Sequence, residues 1–182
     1  MQETVRICGC SINLYQMNTD NRDKYLDVFK VASNFSELYE TSEELWKAMS
    51  EPMGMDDDKT VRYIVCIKET NKVCGFINYD LEDGVPSIDI AIAREYRHRG
   101  FGYDAAKTLC AYLLSKEEID HIYWYAMQNN EPSIKIAEKL GGEQIDGRNI
   151  LAEAMSNAFG KDVTEYSNLP SAISYIIKRK TV

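Results

Sequence analysis

The stretch EYRHRGFGYDAAKTL, Glu95 to Leu109, sets Arg97, His98 and Arg99 and two glycines, Gly100 and Gly102, directly in front of a helical pattern. Ala105, Ala106, Leu109, Cys110, Leu113 and Leu114 fall on one stripe at the helix period, which predicts a helix packed on a sheet. Just before it, PSIDIAIA (residues 86–93) reads as a short β-strand. A loop that leaves a strand and opens a helix presents unpaired backbone N–H groups with the positive end of the helix dipole behind them, a ready anion site. Gly100 and Gly102 would let the backbone approach a bulky phosphate, and Arg97 and Arg99 would add charge-assisted hydrogen bonds, so a pyrophosphate suits the stretch. It is not a P-loop, because no G-x-x-x-x-G-K-[ST] is present, and one glycine of the dinucleotide pattern G-x-G-x-x-G is missing. A glycine-bearing loop with solvated arginines is the bland alternative to an anion site.

Outward from this stretch, the elements alternate. Residues 11–17 (SINLYQM) read as a strand, and residues 20–35 and 41–49 as two amphipathic helices, the second with a capping-box start at Thr41 or Ser42. The runs 61–69, 72–81 and 86–93 are β-rich and joined by links as short as TN and EDGV, which implies antiparallel neighbours. Beyond the central helix, residues 121–127 (HIYWYAM) read as a strand and residues 131–142 as a short helix. Pro132 is tolerable in the first turn of that helix, and Gly141 or Gly142 is its stop. Residues 171–179 read as a late strand, and NILAEAMSNAF (149–159) looks helical where a hairpin would be expected. The sum is an α+β, or mixed α/β, domain ordered β-αα-βββ-α-β-α-β, whose strand–helix–strand crossover makes part of the sheet parallel. The glycine stretch lies at the end of the strand where the order changes, the usual place for a ligand in such sheets.

With 182 residues, 45% of them apolar, the chain has enough material for one substantial core, and residues 1–182 are expected to form a single domain. Twenty-nine acidic against 21 basic residues give a formal charge of −8, which argues against nucleic acid as a general partner. The five cysteines are odd in number, and the start lacks the basic and long apolar regions of a signal peptide, so reduced thiols in a cytoplasm fit best. Cys8 and Cys10 have no second pair at zinc-like spacing, and His98 and His121 lie far from them in sequence, so no metal is expected. No apolar run approaches the ~18 residues of a membrane helix, so no membrane partner is expected.

The stretch IDIAIAREYRHRGFGYDAA resembles the acyl-CoA-binding motif of the GNAT superfamily N-acetyltransferases, [QR]-x-x-G-x-[GA], in its family setting of strand, turn and helix. About thirty residues on, NNEPSIKIAEKLGG resembles the second family signature, N-x-x-S/A followed by a short helix. The resemblance implies the acyl-CoA N-acyltransferase fold: a mostly antiparallel twisted sheet with a splayed parallel strand pair and flanking helices. It implies that backbone groups of Ile90, Ala91 and Ile92 pair with the pantetheine amides of acetyl-CoA. His98, Arg99, Gly100, Phe101, Gly102 and Tyr103 would wrap the pyrophosphate, with Arg97 at the first motif position, and Asn130 would reach the pantetheine end. Lys135 and Lys139 could approach the adenosine phosphate, or be merely solvated.

Chemistry in the family is direct attack of a neutral amine on the thioester, without an acyl-enzyme. The tyrosine acid that many members carry seven residues after the motif Asn is replaced here by Ala137. Ser133 stands at the serine of N-x-x-S, which the ribosomal-protein N-terminal acetyltransferase branch is thought to use near the sulfur; otherwise it is a first-turn serine that caps backbone. Candidates for the general base are Tyr125, standing where some members have glutamate, Asp89 on the fourth family strand, or water. The expected activity is acetyl-CoA-dependent N-acetylation of a primary amine, on a protein N-terminus or a small molecule, with CoA as product. An acyl-CoA-binding regulator or partner protein without transfer chemistry is the alternative, and a homodimer is left open.

Overall fold

The computed structural model describes residues 5–33, 41, 43–44, 47, 60–145, 162 and 172–179. Among the described residues eight strands form one sheet in the order β1-β2-β3-β4-β5-β6-β8-β7: β1 Arg6–Cys8, β2 Ile12–Gln16, β3 Thr60–Ile67, β4 Val73–Glu82, β5 Val85–Ile92, β6 His121–Met127, β7 Glu143–Ile145 and β8 Ala172–Lys178. Three helices flank it among the described residues: α1 Arg22–Ala32, α2 Phe101–Leu114 and α3 Glu131–Lys139. A 3-10 turn, Arg94–Tyr96, precedes α2.

All neighbours pair antiparallel except β5 and β6, which are parallel. That pair has only two registered positions, Ser87 with Tyr123 and Ile88 with Trp124. Past Ile88 the two strands part, whereas β5 stays paired with β4 as far as Ile92. The sheet therefore holds a gap at the C-terminal end of β5.

Strand alternation sorts the side chains onto two faces. Ile12, Leu14, Tyr63, Val65, Ile77, Ile88, Ile122 and Trp124 meet Ala105, Ala106, Leu109 and Leu113 of α2 on one face. Ile64, Cys66 and Phe76 meet Tyr25, Leu26 and Phe29 of α1 on the other. The β4–β5 hairpin turns on Asp83 and Gly84, both at positive φ (50° and 86°), the two-residue turn whose twist matches the strands. Gly75 is fixed by close approach: a Cβ there would lie 2.4 Å from the Ala91 carbonyl oxygen across the ladder.

Asp104, in the first turn of α2, ties this helix to the sheet edge. Its carboxylate accepts from the Cys10 N–H at 3.1 Å, the Ser11 N–H at 2.5 Å and the Ser11 hydroxyl at 2.8 Å. Partial burial alone would push its pKa up, but these donors hold it below the usual carboxylate range.

Among the described residues the expected order of elements holds, with two short strands, β1 and β7, added at the sheet edges. Three residues each, they are too brief to show a period in sequence. The capping box forms as Thr41 with Glu44: the Glu44 N–H donates to Thr41 Oγ1 and the Thr41 N–H to Glu44 Oε2, both at 3.1 Å. The rest of that helix and the helical reading of 149–159 lie outside the described residues, apart from Glu43, Glu44 and Lys47, which are helical.

Candidate active site

Where β5 and β6 part, a cavity of about 700 Å³ opens between them. Its lining includes Asp89, Ile90, Ala91 and Ile92 of β5, Arg97, His98 and Gly100 of the loop, and Phe101, Gly102 and Tyr103 of α2. Trp124, Tyr125, Asn130, Ser133, Lys135 and Lys139 line the side formed by β6 and α3. Every site residue expected from the sequence is brought together here except Arg99, which is outside the lining and places its guanidinium 5.9 Å from the Tyr96 ring centroid.

The wall formed by β5 and α2 is largely backbone. The Ala93 N–H donates to Cys74 O at 2.9 Å, so Ala93 and, two residues earlier, Ala91 turn their backbone polar groups toward β4. The backbone groups of Ile90 and Ile92 thus face the gap, and those of Ala91 do not. The Ile92 carbonyl is already engaged: Arg97 Nε donates to it at 2.8 Å, and Arg97 Nη2 reaches Ala32 O of α1 at 3.5 Å. Arg97 therefore clamps the end of β5 to α1, a task its place in the motif did not reveal.

Gly100 is the N-cap of α2 at φ 84°, a left-handed conformation that a side chain rarely adopts. It has no side chain with which to cap the helix, and the first helical bond is the Asp104 N–H to Gly100 O at 3.0 Å. The N–H groups of Phe101, Gly102 and Tyr103 precede that bond at the positive end of the helix dipole. A Cβ on Gly100 would meet nothing within 4 Å, so φ, rather than room within the protein, demands glycine there. A Cβ on Gly102 would make only ordinary contacts, 3.4 Å to Ile92 and 3.7 Å to Ile136, so packing does not require that glycine.

The opposite wall is built of side chains. Asn130 is the N-cap of α3, and its Oδ1 accepts from the Ser133 N–H at 3.3 Å. The Ser133 hydroxyl is therefore not the cap; it accepts instead from Trp124 Nε1 at 3.0 Å. Lys135 pairs with Glu131 at 3.1 Å, and Lys139 stands 5.7 Å from the Tyr103 ring centroid.

Asp89 and Tyr125 belong to the face toward α1, because their neighbours Ile88 and Trp124 belong to the core under α2. Tyr125 stacks on Tyr123, with ring centroids 6.0 Å apart. Asp89 is accessible through the open cavity yet crowded by its walls. That crowding, together with the nearby charge of Asp80, pushes its pKa from 3.8 up to about 6 against a hydrogen bond from the Ile90 N–H. Across the ladder stands Asn78, buried, whose Oδ1 accepts from the Tyr25 hydroxyl at 2.9 Å. The lining also includes Ala32, Tyr96, Met127 and Ile136, and neither these nor Trp124 carried a motif signal. The period-2 pattern of β6 could have turned Trp124 inward, but nothing in sequence joins it to Ser133.

Residues 13–143 match the family model of the acetyltransferase (GNAT) domain. The chain belongs to the GNAT acetyltransferases. No curated protein sequence matches it. Among solved structures, it is similar to a Salmonella typhimurium acetyl transferase that modifies the N-terminal serine of 50S ribosomal subunit protein L7/L12, at 11% identity and TM-score 0.69 over 97% of this chain and 100% of that one. It is similar, too, to a single-residue variant of the spermidine N-acetyltransferase SpeG from Vibrio cholerae, at 14% identity and TM-score 0.65 over 92% and 94% of the two chains. A third, RimL in complex with coenzyme A, aligns at 11% identity and TM-score 0.69 over 96% of this chain and 98% of that one. At these identities the likeness is one of fold. Among the described residues no helix of this GNAT protein is long and apolar enough to cross a membrane.

Proposed function

We propose that the protein transfers the acetyl group of acetyl-CoA to a primary amine, with the thioester held in the gap between β5 and β6. The observation that carries this reading is the parting of the strands after Ile88 beside a glycine-opened helix N-terminus. An extended pantetheine could pair with the Ile90 carbonyl and with the Ile92 N–H, as an added strand would. The N–H groups of residues 101–103 suit a pyrophosphate, with His98 beside them and Asn130 at the pantetheine end. Coenzyme A in the related RimL structure supports the choice of donor.

The two sheet faces would then divide the chemistry. From the face toward α1, Asp89, ionised at neutral pH, accepts the proton of the attacking amine, directly or through a water that Tyr125 helps to hold. From the other face, the Ser133 hydroxyl donates a hydrogen bond to the sulfur as the C–S bond breaks. The C–N bond forms, the sulfur keeps the electron pair of the broken bond, and the proton lost by the amine balances the one taken up by CoA. The acceptor is a protein N-terminus or a small amine.

Release of CoA thiol is the test, measured with acetyl-CoA across a panel of N-terminal peptides, polyamines, amino sugars and amino acids. Turnover with at least one primary amine is expected. Tight acetyl-CoA binding without turnover on any of them would favour an acyl-CoA-binding regulator.

A further inference from the structure

We propose that Trp124 is a positioning residue for catalysis, aiming the Ser133 hydroxyl proton at the leaving sulfur. The inference deepens the reading above and rests on Ser133 acting there. Trp124 sits in the middle of β6 and is 1% exposed, yet it is among the residues that line the cavity. An indole N–H is a donor only, so at 3.0 Å the Ser133 oxygen must accept from it. The serine proton cannot then point at the indole, and it is left for another acceptor.

The backbone N–H groups that a serine at this place in a helix could cap are held by other groups. The Ser133 N–H is satisfied by Asn130 Oδ1. The Asn130 N–H, which a serine at this position could otherwise receive, donates to Met127 O at 2.8 Å. With its N–H held by the cap and its oxygen accepting from Trp124, the serine has its proton turned away from the indole, and the residue lines the cavity. A hydrogen bond accepted from an N–H also polarises the hydroxyl and makes it a better donor. The core thus orients a catalytic group from behind, through a tryptophan that need not touch the reacting atoms.

A double-mutant cycle separates this role from packing. Trp124→Phe should lower kcat about fivefold, the value of one ordinary hydrogen bond, with acetyl-CoA affinity by calorimetry unchanged. Ser133→Ala should lower kcat on the order of ten- to a hundredfold, and the double variant should lose no more than Ser133→Ala alone. Multiplying losses, a loss confined to KM or affinity, or an unchanged kcat in Trp124→Phe would overturn the inference while leaving Ser133 in place. An unchanged kcat in Ser133→Ala would overturn the proton-donor reading itself, and the inference with it.

Because a phenylalanine leaves part of a buried site empty, the same cycle is to be run with an isostere. The protein has two tryptophans, so in a Trp46→Phe background benzothienylalanine, which replaces the indole N–H by sulfur, can be placed at 124 alone. The same fivefold loss, absent when Ser133 is alanine, is expected; full activity with the isostere would overturn the inference.

Discussion

The two walls of the cavity are made of different material. The wall of β5 and α2 offers backbone: the gap-facing groups of Ile90 and Ile92, and the N–H groups behind a left-handed Gly100. The wall of β6 and α3 offers side chains, Tyr125 on one face of the sheet and Trp124 with Ser133 on the other. Backbone recognition tolerates change in most side chains but not in backbone conformation. Side-chain chemistry tolerates neither a lost functional group nor a lost partner. Loss of backbone conformation should therefore act mainly on donor binding, and loss of a side chain, Ser133 on the β6–α3 wall or Asp89 on β5, mainly on catalysis.

The largest expected effect falls on the side-chain wall. Ser133→Ala should reduce kcat on the order of ten- to a hundredfold, about 1.4–2.7 kcal/mol of transition-state stabilisation, and leave acetyl-CoA affinity nearly unchanged. Steady-state kinetics with a calorimetric titration check it, and a loss in affinity of the same size would erase the contrast between walls. Next comes Gly100→Val, which must adopt φ near 84° or move the loop. The cost is roughly 1–2 kcal/mol. It should appear as weaker acetyl-CoA binding and a lower Tm, with kcat at saturating donor little changed.

Asp89 sharpens the comparison through pH. Its pKa is raised from 3.8 to about 6, so between those values the folded protein binds its proton more tightly than the unfolded chain does. The associated stability is fully present below about 3.8 and is lost as pH rises through about 6. Asp89→Asn, which cannot ionise, should therefore raise Tm at pH 7, with the gain fading as pH falls toward 4. The same variant should lower kcat/KM and remove the limb of its pH profile near 6. Smallest is Lys135→Ala. Its pair with Glu131 is exposed at i,i+4, worth roughly 0.3–0.5 kcal/mol, and both the unfolding free energy and the free energy of donor binding should shift by no more than that.

The difference between the walls also explains what could be read from sequence. A backbone site needs glycine at fixed places beside a strand and a helix, so Arg97 to Gly102 pointed both to the fold and to the β5–α2 wall of the cavity. The splay of β5 from β6 was implied only by the resemblance of that motif to the family's. A side-chain site depends on pairs that only folding creates. Trp124 and Ser133 are nine residues apart on different elements, and their bond leaves no pattern. The role of Arg97 as a clamp on the Ile92 carbonyl was hidden for the same reason. Edge strands β1 and β7 were too short to show a period, and the backbone direction of Ala91 depended on the Ala93 bond to Cys74. Ser133 was legible as a position but not as an oriented group, because an Asn at the N-cap had already taken the capping task.

The account turns on the gap beside β5 holding acetyl-CoA through backbone groups. Isothermal titration of acetyl-CoA into the wild-type protein, Gly100→Val and Ser133→Ala tests this most directly. The account predicts saturable one-site binding to the wild type, an equal dissociation constant for Ser133→Ala, and one weaker by about tenfold for Gly100→Val. No binding heat to the wild type at millimolar acetyl-CoA, or equal affinity in Gly100→Val, would contradict it.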